Sequence, residues 1–124
     1  MQNLDQIRAA KAFPAAENTS KQAVSKLPAI IMTNGLLAAI AFADERKDGG
    51  APKREKMQHA MDAVADHLSC IVEGITLPPD AKTGSELLRA LTTGNANSLL
   101  LQRATTEALA FLSFLKRFTT KDEI

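Results

Sequence analysis

"LPAIIMTNGLLAAIAF", Leu27 to Phe42, is the stretch on which the fold turns. Asn-Gly between two apolar runs is the strongest short-range signal for a β-hairpin. Strand alternation fails, however. Ile30, Met32, Asn34, Leu36 and Ala38 on one side are as apolar as Ile31, Thr33, Gly35, Leu37 and Ala39 on the other, and the run is long for a strand. Helical placement works better. Pro28 suits a first turn, where its missing N–H is no loss. Leu27, Ile31, Ala38 and Phe42 then fall near one side, with Gly35 and Ala39 beside them. The stretch is predicted to be one helix passing through Asn34 and Gly35.

Gly35 inside a helix costs about 1 kcal/mol relative to Ala. Close backbone approach by a neighbour across the small ridge of Gly35, Ala38 and Ala39 would offset that cost. Asn34 lies away from the polar strip of Thr33 and Asp44, between Leu27, Ile30 and Ala41. It reads as a hydrogen-bonded core amide, with contact to a partner or ligand as the alternative. A helix apolar almost all round is central in its domain or shares a face with another protein.

Working outward, the remaining segments also read as helices. Asn3 to Ala12 forms one, with Asn3 as N-cap and Pro14 ending or bending it. A segment from about Ser20 leads into the second helix, with a kink expected at Pro28. "RKDGGAP", Arg46 to Pro52, is a loop. A third helix runs from about Lys53 to Glu73, its buried stripe being Met57, Met61, Val64, Leu68 and Ile71. "GITLPPDAKTG" is the longest break. Thr83 or Ser85 caps a short fourth helix, Thr83 with Glu86 matching a capping box, and Gly94 stops it. The last helix spans about Asn97 to Phe118 and turns Leu101, Ala104, Ala108, Phe111, Leu112, Leu115 and Phe118 inward. The fold class is all-α: a single domain over residues 1–124, a bundle of about five to six helices with a long second helix, a long C-terminal helix and a short tail.

Composition agrees with that reading. With five Phe, no Trp and no Tyr, the core rests on Leu, Ile and Ala, which suits closely packed helices. The single Cys70 cannot form an internal disulfide, the longest apolar run is too short for a membrane span, and "MQNLDQIRAA" shows no secretory signal. A cytoplasmic location is expected. Net charge is +1, so no general affinity for polyanions follows. Basic residues are concentrated at the two ends, however. Arg8, Lys11, Lys21 and Lys26 stand against Asp5 and Glu17, and Arg103, Lys116, Arg117 and Lys121 against Glu107. A basic face built by the terminal segments is one reading; ordinary solvated charge is the other.

No catalytic motif emerges. The chain has no phosphate-binding Gly-Lys loop, dinucleotide fingerprint or His-Glu-x-x-His pair. His59 and His67 stand two turns apart on one helix, about 12 Å along its axis, too far to act together as acid and base. His59, Asp62 and Asp66 read as a solvated face, and His67 with Cys70 offers two ligands where structural zinc needs four. Arg103 and Glu107 read as an exposed i, i+4 pair. The expectation is a non-enzyme with no metal and no cofactor.

Three blocks carry a resemblance: "LDQIRAAKA" (Leu4–Ala12), "KLPAIIMTNGLLAAIAF" (Lys26–Phe42) and "RATTEALAFLSFLKRF" (Arg103–Phe118). In order and spacing they resemble the small helical subunit of the type III-B CRISPR effector, the Cmr complex; the region from Arg46 to Asn97 carries no likeness beyond being helical. The resemblance implies a non-catalytic bundle that stacks head-to-tail in several copies along a ribonucleoprotein filament used in antiviral defence. It implies as partners the other Cmr subunits, further copies of the chain, guide RNA and target RNA. Arg8, Lys11, Lys26, Arg103, Lys116 and Arg117 are then the candidates for RNA-backbone contact, each with surface solubility as its alternative. Asn34, Gly35 and Leu36 are assigned to packing of the signature helix or to subunit contact. Two other classes remain: a helical adaptor with no nucleic-acid role, and a DNA-binding regulator, which the scarcity of basic residues along the last helix disfavours.

Overall fold

In the structure, a computed structural model, residues 3–70, 77, 80–93 and 97–120 are described. The first helix, α1 (Leu4–Ala15), opens on a full capping box. The Asn3 side chain accepts from Gln6 N–H at 2.8 Å, and Gln6 Oε1 accepts from Asn3 N–H at 2.7 Å. Pro14 does not end α1, which runs one residue beyond it and tightens into a 3-10 turn, Ala16–Asn18.

The predicted single helix over 27–42 is two helices, α2 (Lys21–Asn34) and α3 (Leu36–Ala43), meeting at Gly35. The hinge residue sits at φ 91°, ψ 162°. Its amide still donates to Ile31 O at 2.8 Å, closing α2, and its carbonyl accepts from Ala39 N–H at 3.1 Å, opening α3. No neighbour crowds it, since nothing lies within 4 Å of where a Cβ would stand. The glycine is required by its backbone angle and not by a close approach. Pro28 is likewise displaced from its predicted first turn: α2 starts at Lys21, under a Ser20 cap, and carries Pro28 in mid-helix. Asn34 is exposed, which overturns its reading as a core amide, while Leu36 is buried.

The loop after α3 is pinned by an isolated bridge between Arg46 and Pro52, with Gly49 and Gly50 both at positive φ. Helix α4 (Glu55–Ser69) ends four residues before the predicted Glu73. It buries Met57, Met61, Val64 and Leu68 as expected; Ile71 lies outside the described residues. This helix, rather than the 27–42 stretch, is the centre of the bundle, touching α1, α2 and α3 as well as the last two helices.

Those two are α5 (Gly84–Thr92), capped by Thr83, and α6 (Ser98–Phe118), capped by Asn97. Glu86 uses its carboxylate on the Thr83 hydroxyl at 3.0 Å. The predicted stop, Gly94, is outside the described residues. Gly84 is buried against α4: a Cβ there would stand 3.3 Å from Met61 Cγ, and the Gly84 amide donates to Asp62 Oδ1 at 2.7 Å. Phe111, Leu112 and Leu115 of α6 close the core, and α6 packs on α1, α2 and α4. Among the described residues there is no strand, and no helix is long and apolar enough to cross a membrane.

Candidate nucleic-acid interface

The N-terminal half of α2 and the last two turns of α6 line a groove of about 530 Å³. Lys21 and Ser25, one turn apart, supply one wall; Ser113, Lys116 and Arg117 supply the other. Both walls are fixed from behind, because Val24 and Leu27 of α2 and Leu112 and Leu115 of α6 are buried on the opposite faces. Lys116 and Arg117 stand in the last turn of α6, where a helix favours cations. Lys21 stands in the first turn of α2, behind the Ser20 cap, whose hydroxyl accepts from Ala23 N–H at 3.2 Å. Among the described residues no carboxylate pairs with Lys21, Lys116 or Arg117. The lining is three cations and two hydroxyls, chemistry suited to phosphate oxygens.

Lys26 is directed elsewhere. With Ala23, Phe42, Lys53, Arg54 and Met57 it lines a smaller groove of about 180 Å³. Arg54 covers the Phe42 ring at 3.7 Å and reaches Glu45 at 3.6 Å, while Lys53 reaches Glu45 at 3.4 Å. Arg103 is exposed on α6.

Arg8 and Lys11 each meet a carboxylate, Arg8 largely covered and Lys11 part-exposed at the surface of the bundle. Arg8 donates twice to Glu107, Nε to Oε2 and a terminal nitrogen to Oε1, both at 2.7 Å, and once to Asp5 at 2.7 Å. Lys11 meets Asp66 at 3.2 Å. Glu107 is therefore not the exposed partner of Arg103 but a buried carboxylate, shared by Arg8 and His67. His67, fully buried, places Nε2 2.8 Å from Glu107 Oε2 and stacks on Phe111 with ring centroids 4.6 Å apart.

The protonation states follow from this geometry. Burial pushes the His67 imidazole below its ordinary value against the pull of Glu107. Its Nδ1 has no partner among the described residues, so a second ring proton would be an orphaned buried donor, whereas a neutral ring needs only Nε2–H toward Glu107. Burial alone would push the Glu107 carboxyl up, yet hydrogen bonds from Arg8 and His67 hold it below the ordinary range. The hydrogen bond to Glu107 in turn raises Arg8. The cluster joins α1, α4 and α6.

The trio read as a solvated helix face is distributed among other partners. His59 pairs with Glu55 at 3.4 Å, Asp62 is half-buried on Gly84, and Asp66 holds Lys11. Among the described residues no three His, Cys, Asp or Glu side chains gather to hold a metal. Lys21 was missed as a candidate: the terminal charge pattern contained it, but only the packing of α2 on α6 sets it beside Lys116 and Arg117.

A family model described as CRISPR-associated protein (Cas_Cmr5) matches residues 2–121, and so includes the middle region where the three quoted blocks carried no likeness. No curated protein and no solved structure matches the chain. With nearly every residue inside the match and an all-helical bundle beneath it, the chain belongs to the Cas_Cmr5 family, a family of subunits of the type III-B CRISPR Cmr complex that associate with the other Cmr subunits.

Proposed function

We propose that this subunit is non-catalytic, stacks in several copies along the cytoplasmic Cmr filament, and supports the guide–target RNA duplex through phosphate contacts in antiviral defence. The observation that carries this reading is the groove of Lys21, Lys116 and Arg117 with Ser25 and Ser113. Phosphate contacts position a duplex without reading it, which suffices where guide pairing supplies the sequence specificity. A net charge of +1 suits a module that binds RNA weakly alone and gains affinity by repetition along a lattice. Lys26, in the smaller groove beside Phe42, and Arg103, exposed on α6, remain candidates for phosphate contact outside this groove. Arg8 is held by the buried Glu107, so its removal acts on the bundle before it acts on RNA, while Lys11, part-exposed beside Asp66, stays a candidate for phosphate contact.

The test is a filter-binding titration of target RNA against assembled complex carrying Lys21→Ala, Lys116→Ala and Arg117→Ala together. Each lost phosphate contact removes about 0.7–0.9 from the log–log salt slope, so the slope should flatten by about 2–3 for each copy in contact. An unchanged slope rejects the assignment. It would leave the second reading, a helical adaptor with no nucleic-acid role, which the 77 % exposure of Met32 favours.

A further inference from the structure

The two serines of the cationic groove repeat one pattern on both walls. On α2, Ser25 stands one turn after Lys21; on α6, Ser113 stands one turn before Lys116 and Arg117. Both serines are exposed. A hydroxyl on a helix has a ready internal acceptor, the carbonyl one turn back. Thr105 and Thr106 of α6 use it, reaching Leu101 O at 2.7 Å and Gln102 O at 3.0 Å. Ser25 and Ser113 do not: among the described residues neither hydroxyl meets a partner. Each therefore keeps a donor and two acceptor lone pairs for whatever lies in the groove.

Phosphates do not require them. Lys21, Lys116 and Arg117 already supply three charges, on long stems that reach out from the two rims. Serine is short, so its oxygen stays near the floor between those rims. A strand with successive phosphates on opposite walls sets the sugar between them over the two hydroxyls. In RNA that sugar carries a 2′-hydroxyl, donor and acceptor at once, which a serine hydroxyl complements in either sense. In DNA the same position is a C–H, and the serines gain nothing.

Sugar identity is also what guide pairing leaves unread. An RNA–DNA heteroduplex is about as stable as the DNA duplex it replaces, so pairing is a poor judge of the sugar. A protein contact to the ribose supplies the distinction. We propose that Ser25 and Ser113 read the 2′-hydroxyl of the target strand and make the groove selective for RNA over DNA. This rests on the phosphate reading above and names the sugar that the same groove accepts.

The experiment measures binding of the assembled Cmr complex, reconstituted on its guide RNA, to two targets of one sequence, all-ribose and all-2′-deoxy. Ser25→Ala and Ser113→Ala are made together; they remove no charge, and alanine is a good helix former. The double variant is expected to bind the ribose target about fivefold more weakly, the worth of one hydrogen bond, and the deoxy target as before. The ribose-to-deoxy affinity ratio then falls by that factor, with the salt slope unchanged. Equal weakening toward both targets means that the hydroxyls meet phosphate oxygens, and overturns the proposal. No change toward either target overturns it as well, and leaves the groove standing if the Lys21, Lys116 and Arg117 variant still flattens the slope. An unchanged slope in that triple variant overturns the groove reading, and the sugar assignment falls with it.

Discussion

At position 35 the backbone occupies φ 91°, ψ 162°, a region that L side chains enter at a cost of about 1–3 kcal/mol. Because the space around it is open, Gly35→Ala is expected to destabilise the bundle by that amount through backbone strain alone, measured as a lower midpoint in urea unfolding. A continuous helix would respond with the opposite sign, gaining about 1 kcal/mol from Ala. The rejection of a hairpin at Asn34-Gly35 was legible in the even apolarity of both strand faces. The break was not, because the pattern of apolar residues on either side is helical whether one or two helices carry it. The apolar character of the stretch was read as centrality or as a face shared with another protein; Met32 of α2 and Ala38 and Ala41 of α3 face outward, which excludes the first for those residues.

Among the elements, α5 has a start that depends on another helix. Its first amide, Gly84 N–H, is satisfied by Asp62 of α4, and its third by the Thr83 hydroxyl at 3.3 Å. Asp62→Ala is expected to cost about 1–2 kcal/mol, seen as faster hydrogen exchange in α5 and α4, whereas Asp62→Asn keeps the acceptor and loses less. Helix starts that rest on local chemistry were legible: Asn3 as a cap, Thr83 with Glu86 as a capping box, and a start near Asn97; the return bond from Gln6 to Asn3 appears only in the structure. The support from Asp62 was not, since twenty-two positions separate it from Gly84. Nor was the groove that joins Lys21 to Lys116 and Arg117, because charge counts give the residues of two segments but not the faces they share.

For the whole molecule, stability should depend on acid through the cluster at the junction of α1, α4 and α6. His67 is held below its ordinary 6.5, so below that pH the unfolded chain takes up a proton the folded chain refuses, and stability falls. Glu107 is held below its ordinary 4.5, so its contribution is intact above that value and is lost as pH falls through its depressed one. Both groups act in the same direction. The melting temperature is expected to drop on acidification from about pH 7, and His67→Leu to flatten the upper part of that decline without removing the lower. The spacing of Arg103 and Glu107 suggested a local pair, and only tertiary packing reveals that the carboxylate faces inward.

Arg8 and Glu107 are separated by ninety-nine positions. During synthesis at about 5–20 residues per second, α1 waits several seconds for its counter-ion, and α4 waits with a buried imidazole that has nothing to donate to. The nascent chain thus has little reason to consolidate until the final helix clears the ribosomal tunnel. A ribosome stalled short of residue 107 should display a protease-sensitive intermediate.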